Sequence, residues 1–244
     1  MVEAVKSVEK SLRLLIPGDE VVDVQEVEDG VNVILGPGLT REGSQVICNR
    51  CGILRQKVNP KVAMFWVDCH SKRYIASRGE NVIGIINGKA GDAFRVDIGT
   101  SEYASLSFLA FEGATKKNKP TIGNGDVVYA KVMTASKDME PEIVCVDAYG
   151  KKAGLGELTG GGFLFNVPLH LVRRLLSPES NLLKLLGQTL KFEICIGMNG
   201  RIWIRAPMPK ETICIANAIW AAEHMNNEET SAMVNKLADA LMGF

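Results

Sequence analysis

Several groups of residues in this sequence have types and spacings that could do chemistry. Cys48-Asn49-Arg50-Cys51 has the two-residue spacing of half a zinc site, which needs four ligands around a tetrahedral ion. The nearest second half is Cys69 and His70, but neighbours on an extended segment point to opposite faces and cannot both reach one ion. No metal is expected there. Asp138, Glu140 and Glu142 resemble an acidic cation site, yet Pro141 divides them and the apolar run from Ile143 follows, so they read as a polar loop entering a strand. His70, His170 and His224 are scattered along the chain without a serine or cysteine nucleophile motif beside them, which leaves a hydrolytic triad without support. Gly160-Gly161-Gly162 precedes a strand instead of opening a helix, the wrong context for a dinucleotide loop. No catalytic residue and no cofactor is expected.

Two further groups point toward nucleic acid. Gly197-Met198-Asn199-Gly200 has the Gly-x-x-Gly spacing of the loop that clamps a nucleic-acid backbone in KH domains. That loop joins two helices. Here the tetrad joins two alternating apolar strands, and Asn-Gly is a strong hairpin signal because both residues tolerate positive φ. Gly197, Asn199 and Gly200 are therefore expected to make a structural turn, as is Gly18 in Pro17-Gly18-Asp19. The RNA candidates are Phe94 and Arg95 on one strand, Lys89 before it, and Lys116, Lys117, Lys119 and Lys137 in loops. Bases stack on aromatic side chains at roughly 1–3 kcal/mol each while cations follow the phosphates.

The elements that must position these residues fall into three segments. Residues 1–75 carry short apolar runs, Leu14–Ile16, Val31–Leu35, Ser44–Cys48, Phe65–Val67 and Arg73–Ile75, between turn-forming clusters, the pattern of a small β domain. Residues 76–152 hold five strands, Val82–Ile86, Ala93–Ile98, Ala104–Leu109, Val127–Val132 and Ile143–Val146, with the basic stretch Lys116–Pro120 between the third and fourth. That suits a five-stranded OB barrel. Residues 153–244 change period: strand Phe163–Val167, helices Leu169–Leu176 and Glu179–Leu186, strands Leu190–Ile196 and Arg201–Arg205, then helices Thr212–Met225 and Glu228–Leu241. This is the order of a type I KH domain. The place of its helix-to-helix loop reads Leu176-Ser177-Pro178-Glu179-Ser180, with no glycine and with a carboxylate that repels phosphate. The fold class is thus mainly β plus α+β.

Of the 244 residues 46% are hydrophobic and 23% charged, which suits a folded chain, and no run is long and apolar enough to expect a membrane partner. With no signal-peptide core and six dispersed cysteines, an intracellular, reducing setting is expected. Lys plus Arg equals Asp plus Glu at 28 each. A neutral chain lacks the basic excess of a free-standing nucleic-acid binder, so it binds weakly alone or lends its surface to a composite site.

Gly79-Glu80-Asn81-Val82-Ile83-Gly84-Ile85 and Phe94–Gly99 resemble the opening of the RNA-binding OB fold first described in ribosomal protein S-one. Phe111–Pro120, Lys137–Glu142 and Gly197–Trp203 are more specific. Together with Leu15-Ile16-Pro17-Gly18-Asp19 they closely resemble the cap subunit of the eukaryotic RNA exosome, the ribosomal RNA-processing protein forty (exosome component three) family. The resemblance implies a non-catalytic subunit that sits on RNase-PH-like ring subunits beside other cap subunits, contacts single-stranded RNA and guides it to separate 3′-to-5′ exonucleases. It also implies a nuclear and nucleolar, and additionally cytoplasmic, protein. In that reading the first segment docks on the ring, so a side chain at Gly18 would disturb docking, while the OB segment faces the RNA and the KH segment braces it. The competing readings are a nuclease with an appended OB module, against which the lack of a usable carboxylate or histidine cluster argues, and an RNA-binding adaptor outside the exosome.

Overall fold

A computed structural model describes residues 13–23, 31–59, 61–71, 73–118, 120–136, 139–178 and 180–242. The chain divides into two compact units, Met1–His70 and Ser71–Phe244.

The first unit contains two sheets. Strands β1 (Leu14–Leu15), β3 (Asn32–Leu35), β6 (Gly52–Asn59) and β7 (Val62–Asp68) form one, in the order β1-β6-β7-β3, antiparallel except for the parallel β3–β7 pair. Strands β2 (Glu20–Asp23), β4 (Leu39–Glu42) and β5 (Gln45–Cys48) form the other, in the order β2-β5-β4. Alternation along β7 turns Ala63, Phe65 and Val67 inward, where they pack with Leu15 and Val46. Three of these strands, β2, β4 and β6, are absent from the sequence reading. Their apolar residues are diluted by charges and sit in sheets with one wet face. The expected strand at Arg73–Ile75 does not form: Arg73 lies in a bend, and Tyr74 instead buries its ring and donates from its hydroxyl to Glu80 (2.7 Å). At Pro17-Gly18, proline and then glycine at φ +98° give the turn its positive-φ position, and the Gly18 N–H donates to the Cys48 carbonyl at 2.8 Å.

The second unit opens with a closed barrel. Strands β8 (Asn81–Ala90), β9 (Ala93–Asp97), β10 (Ala104–Ser107), β11 (Val127–Thr134) and β12 (Glu142–Val144) pair in the ring β8-β9-β10-β12-β11-β8, in which only β10–β12 is parallel. A short β13 (Gly156–Glu157) adds to β11. Val82, Ile86, Phe94, Val96, Leu106, Val128 and Ile143 fill the barrel. This is an OB fold.

Strands β14 (Phe163–Asn166), β15 (Glu193–Ile196) and β16 (Arg201–Arg205) then form an antiparallel sheet in the order β14-β16-β15. Helices α1 (Leu169–Leu176), α2 (Leu182–Thr189), α3 (Pro209–Ala221) and α4 (Asn227–Met242) accompany it. The chain order β14-α1-α2-β15-β16-α3 and the sheet order are those of a type I KH domain. α1 buries Leu171, Val172 and Leu175 against the same core as Ile202, Ile204, Ile215 and Ile219. Proline at the first position of α3 lacks the N–H that would have no helical partner there, and the Glu211 carboxylate accepts from the Met208 N–H.

Candidate nucleic-acid interface

The tetrad Gly197-Met198-Asn199-Gly200 is the hairpin turn between β15 and β16, closed by Gly200 N–H to the Gly197 carbonyl (3.1 Å) and Gly197 N–H to the Arg201 carbonyl (2.9 Å). Its chemistry differs from the expectation at one residue. Only Gly200 takes a positive φ (+81°); Asn199 does not, so asparagine is not there for backbone freedom. Its side chain reaches into the barrel. Asn199 Nδ2 donates to the carbonyls of Ile83 (2.8 Å) and Ile98 (2.9 Å), and its Oδ1 accepts from the Ile83 N–H (3.2 Å). Ile83 and Ile98 are fully buried, so these bonds satisfy backbone groups that water cannot reach.

The neighbouring residues serve the same junction. A Cβ on Gly197 would lie 2.3 Å from Asn199 Oδ1, so glycine makes room for the asparagine to fold back. Met198 N–H donates to the Asn81 carbonyl (2.8 Å). Arg201 spans the same seam, donating from Nη2 to Asp97 Oδ2 (2.7 Å) and from Nη1 to the Asp97 carbonyl. Tyr129 of the barrel donates to the Ile196 carbonyl at 3.3 Å. Burial alone would raise the Asp97 pKa. The hydrogen bond and charge of Arg201, with the Gly99 N–H, outweigh it and hold the carboxyl below the ordinary value. The Asn199 side chain and the N–H groups of Gly197, Met198 and Gly200 are thus engaged inside the protein.

The helix-to-helix corner between α1 and α2 is also occupied from within. Arg174 donates to the carbonyls of Ala222 (2.8 Å) and Met225, capping the end of α3 and the turn that follows it. Glu179 of that corner lies outside the described residues.

On the barrel, Lys89, Arg95, Lys116 and Lys117 are exposed, while Lys119 and Lys137 lie outside the described residues. The expectation that Phe94 stacks a base is corrected. Its ring is 1% exposed and packs edge-on against Phe108 (4.5 Å between centroids) and Phe111 (6.3 Å), because the alternation of β9 points Phe94 and Val96 inward and Arg95 outward. Phe94 anchors instead. Lys89 Nζ rides 5.6 Å over its ring, and Phe108 and Phe111 begin the long connection that carries Lys116 and Lys117. The aromatic trio holds the bases of both basic segments in one place, with Phe108 N–H donating to the Asp92 carbonyl of the Lys89 hairpin (3.2 Å). The outward faces of β9 and β10 carry Arg95 beside Ser105, a cation and a hydroxyl, not an aromatic platform.

Elsewhere, several groups with chemical potential have structural partners. Cys48 is buried with its thiol on the Arg50 carbonyl, whereas Cys51 is exposed. His170 Nε2 pairs with Glu223 at 3.2 Å, and Glu142 accepts from Thr134 (3.1 Å). Trp203 is buried with its indole against Gly162, on the sheet face opposite Ile202 and Ile204, and Trp220, 43% exposed, sits edge-on to Phe165.

The fold and this interface define a class: an S1-type OB barrel latched through a Gly-x-Asn-Gly hairpin to a type I KH domain, preceded by a small β unit. Family profiles divide the chain in the same way. "Mammalian exosome complex component RRP40, N-terminal" matches residues 13–70, "Exosome complex component RRP40, S1 domain" residues 74–156, and "KH domain" residues 162–210. The exosome complex component RRP40 of Drosophila melanogaster is 44% identical, over 93% of this chain and 97% of its own length. That of Homo sapiens is 43% identical, over 86% and 78%, and that of Saccharomyces cerevisiae 38%, over 84% and 86%. A crystal structure described as that of a proposed exosome complex RNA-binding protein shares the fold, with a TM-score of 0.58 and 23% identity over 69% of this chain and 96% of the other. The chain belongs to the RRP40 family of exosome complex components.

Proposed function

We propose that this protein is a non-catalytic cap subunit of the RNA exosome that contacts single-stranded RNA through the outer surface of its S1 barrel and guides it toward separate 3′-to-5′ exonucleases. Its partners are then the RNase-PH-like ring subunits and the other cap subunits, and it works in the nucleus, the nucleolus and the cytoplasm. The observation that carries this reading is the hairpin latch. The tetrad that could have gripped phosphate is consumed in fixing the KH domain to the barrel, so the KH domain serves as a brace. The RNA-facing role then falls to the exposed Lys89, Arg95, Lys116 and Lys117 on the barrel.

Two experiments test it. Reconstitution of the complex with Lys116, Lys117 and Lys119 reversed to glutamate should shorten the length of RNA protected from an added nuclease; unchanged protection removes the barrel loop from the RNA path. Pure chain incubated with labelled single-stranded RNA and magnesium should leave the RNA intact, and degradation that co-purifies with the chain would favour a nuclease.

A further inference from the structure

Strand register brings several loops to one end of the barrel. β8 and β11 pair from Asn81–Lys131 to Ile85–Val127, so the Lys89 hairpin lies at the end where β11 begins. β12 runs antiparallel to β11 and leaves the sheet there, as does β10, which starts opposite Val96 and ends opposite Ala93. The chain leaving β12 is tied to the basic connection that follows β10. The Cys145 N–H donates to the Ala110 carbonyl (3.0 Å), and the Lys152 N–H donates to Glu112 Oε2 (3.2 Å). Just beyond Glu112, a bond from the Thr115 N–H to the Asn118 carbonyl (3.0 Å) closes a turn whose central residues are the exposed Lys116 and Lys117.

Between Cys145 and Lys152 stands Tyr149, 87% exposed. Its segment is firmly built. The Asp147 carboxylate accepts from the N–H groups of Tyr149 and Lys151 (2.9 Å each), and the Asp147 N–H donates to the Lys151 carbonyl (2.8 Å). Gly150 follows at φ +73°, and Ala153 at +42° is the one non-glycine residue at positive φ among the described residues, a conformation that surrounding structure must enforce. The ring is thus carried outward on a fixed turn, with only its two side-chain torsions left to order on binding.

We propose that Tyr149 is a base-stacking platform of the RNA path: a base of the single strand lies on its ring while the adjoining phosphates follow Lys116 and Lys117. The inference rests on the reading that the barrel's outer surface contacts RNA, and it adds the residue that meets a base. Single strands bind where exposed aromatic rings accompany cations that track the backbone. Phe94 cannot supply the ring because it is buried, with Arg95 and Ser105 facing outward beside it. Tyr103, 46% exposed, lies in the β9–β10 loop at the other end of the barrel. The surroundings of Tyr149 favour a base over a protein side chain. Its flanks are Ala148, Gly150 and Lys151, not the apolar surround of a protein hot spot, and the nearby Asp147 and Glu112 carboxylates are directed onto backbone N–H groups.

The test is anisotropy titration of labelled oligouridine with full-length chain at low ionic strength. Tyr149→Ala should weaken binding about fivefold or more, the loss of one stacked base, with melting unchanged because the side chain is exposed. Tyr149→Phe and Tyr149→Trp should bind at least as tightly as the parent. The salt slope should be unaltered in Tyr149→Ala, which removes no cation, and flattened when Lys116 and Lys117 are reversed to glutamate. A strand of equal length without bases should bind the parent and Tyr149→Ala equally. The inference alone is overturned if Tyr149→Ala binds oligouridine like the parent while the lysine reversal weakens binding. It is likewise overturned if Tyr149→Phe is as weak as Tyr149→Ala, which makes the hydroxyl the contact, or if the baseless strand still distinguishes parent from Tyr149→Ala. If neither the tyrosine nor the lysine variants alter binding, the barrel reading falls with it.

Discussion

Gly200 shows how narrowly a single position in the latch is specified. It sits at φ +81°, and a Cβ there would lie 2.6 Å from the Val167 carbonyl oxygen, a backbone atom that cannot swing aside. Gly200→Ala is expected to cost roughly 2–3 kcal/mol, read as a shift in denaturation midpoint at constant slope, the upper part of the range for a strained non-glycine residue. RNA affinity of the fraction that folds should not change; unchanged melting with lost RNA binding would mean that the tetrad grips RNA after all. Asp97 makes a pH-dependent contribution to the same seam. Because its folded pKa lies below the ordinary 3.8, its stabilisation is complete above that value and is lost as pH falls through the lower folded value. Asp97→Asn should therefore melt lower than the parent near neutrality, and the gap should close on acidification below about pH 4. A gap that stays constant to the lowest pH would separate Asp97 from Arg201 energetically.

The hairpin as an element couples two domains that could otherwise melt separately. Asn199→Ala would leave the Ile83 N–H and the Ile83 and Ile98 carbonyls buried without these partners, at roughly 1–3 kcal/mol for each group left unsatisfied. We expect the single thermal transition of the barrel–KH unit to broaden or split, with hydrogen exchange rising first at β8 and at the β15–β16 turn. A sharp, unsplit transition would show that Arg201 and the apolar seam suffice. This element also marks how far the sequence could be read. The alternation of Leu190–Ile196 and Arg201–Arg205 and the Asn-Gly between them placed a turn correctly, since those are local signals. What the turn touches was not legible. Asn199 meets residues 83 and 98, more than a hundred positions away in chain order, and nothing local distinguishes an asparagine that bends a backbone from one that reaches across an interface. Phe94 was misjudged for a related reason: one β-strand residue in two points inward, and whether Phe94 or Arg95 does so depends on the barrel's closure. Strands β2, β4 and β6 escaped because their apolar residues are mixed with charges.

At the scale of the whole molecule the governing quantity is charge. Lys plus Arg and Asp plus Glu are both 28, so long-range attraction to RNA is weak and the few cations grouped on the barrel must act locally. If Lys89, Arg95, Lys116 and Lys117 each neutralise one phosphate, the logarithm of single-strand affinity should fall with the logarithm of salt at a slope of about −3. The isolated chain should bind oligouridine measurably only at low ionic strength. Reversing Lys116 and Lys117 to glutamate should flatten the slope by about 1 or more. Both side chains are exposed, so melting should not move. Anisotropy titrations of full-length chain across a salt series distinguish the cases. A slope unaltered by the reversal means that the loop is solvated surface and that the RNA runs elsewhere on the barrel. A slope much steeper than −3 means that cations beyond these four join the contact. A chain built this way gains useful affinity only when neighbouring subunits complete the charged path, which is the reason to expect the same two lysines to matter more in the assembled complex than alone.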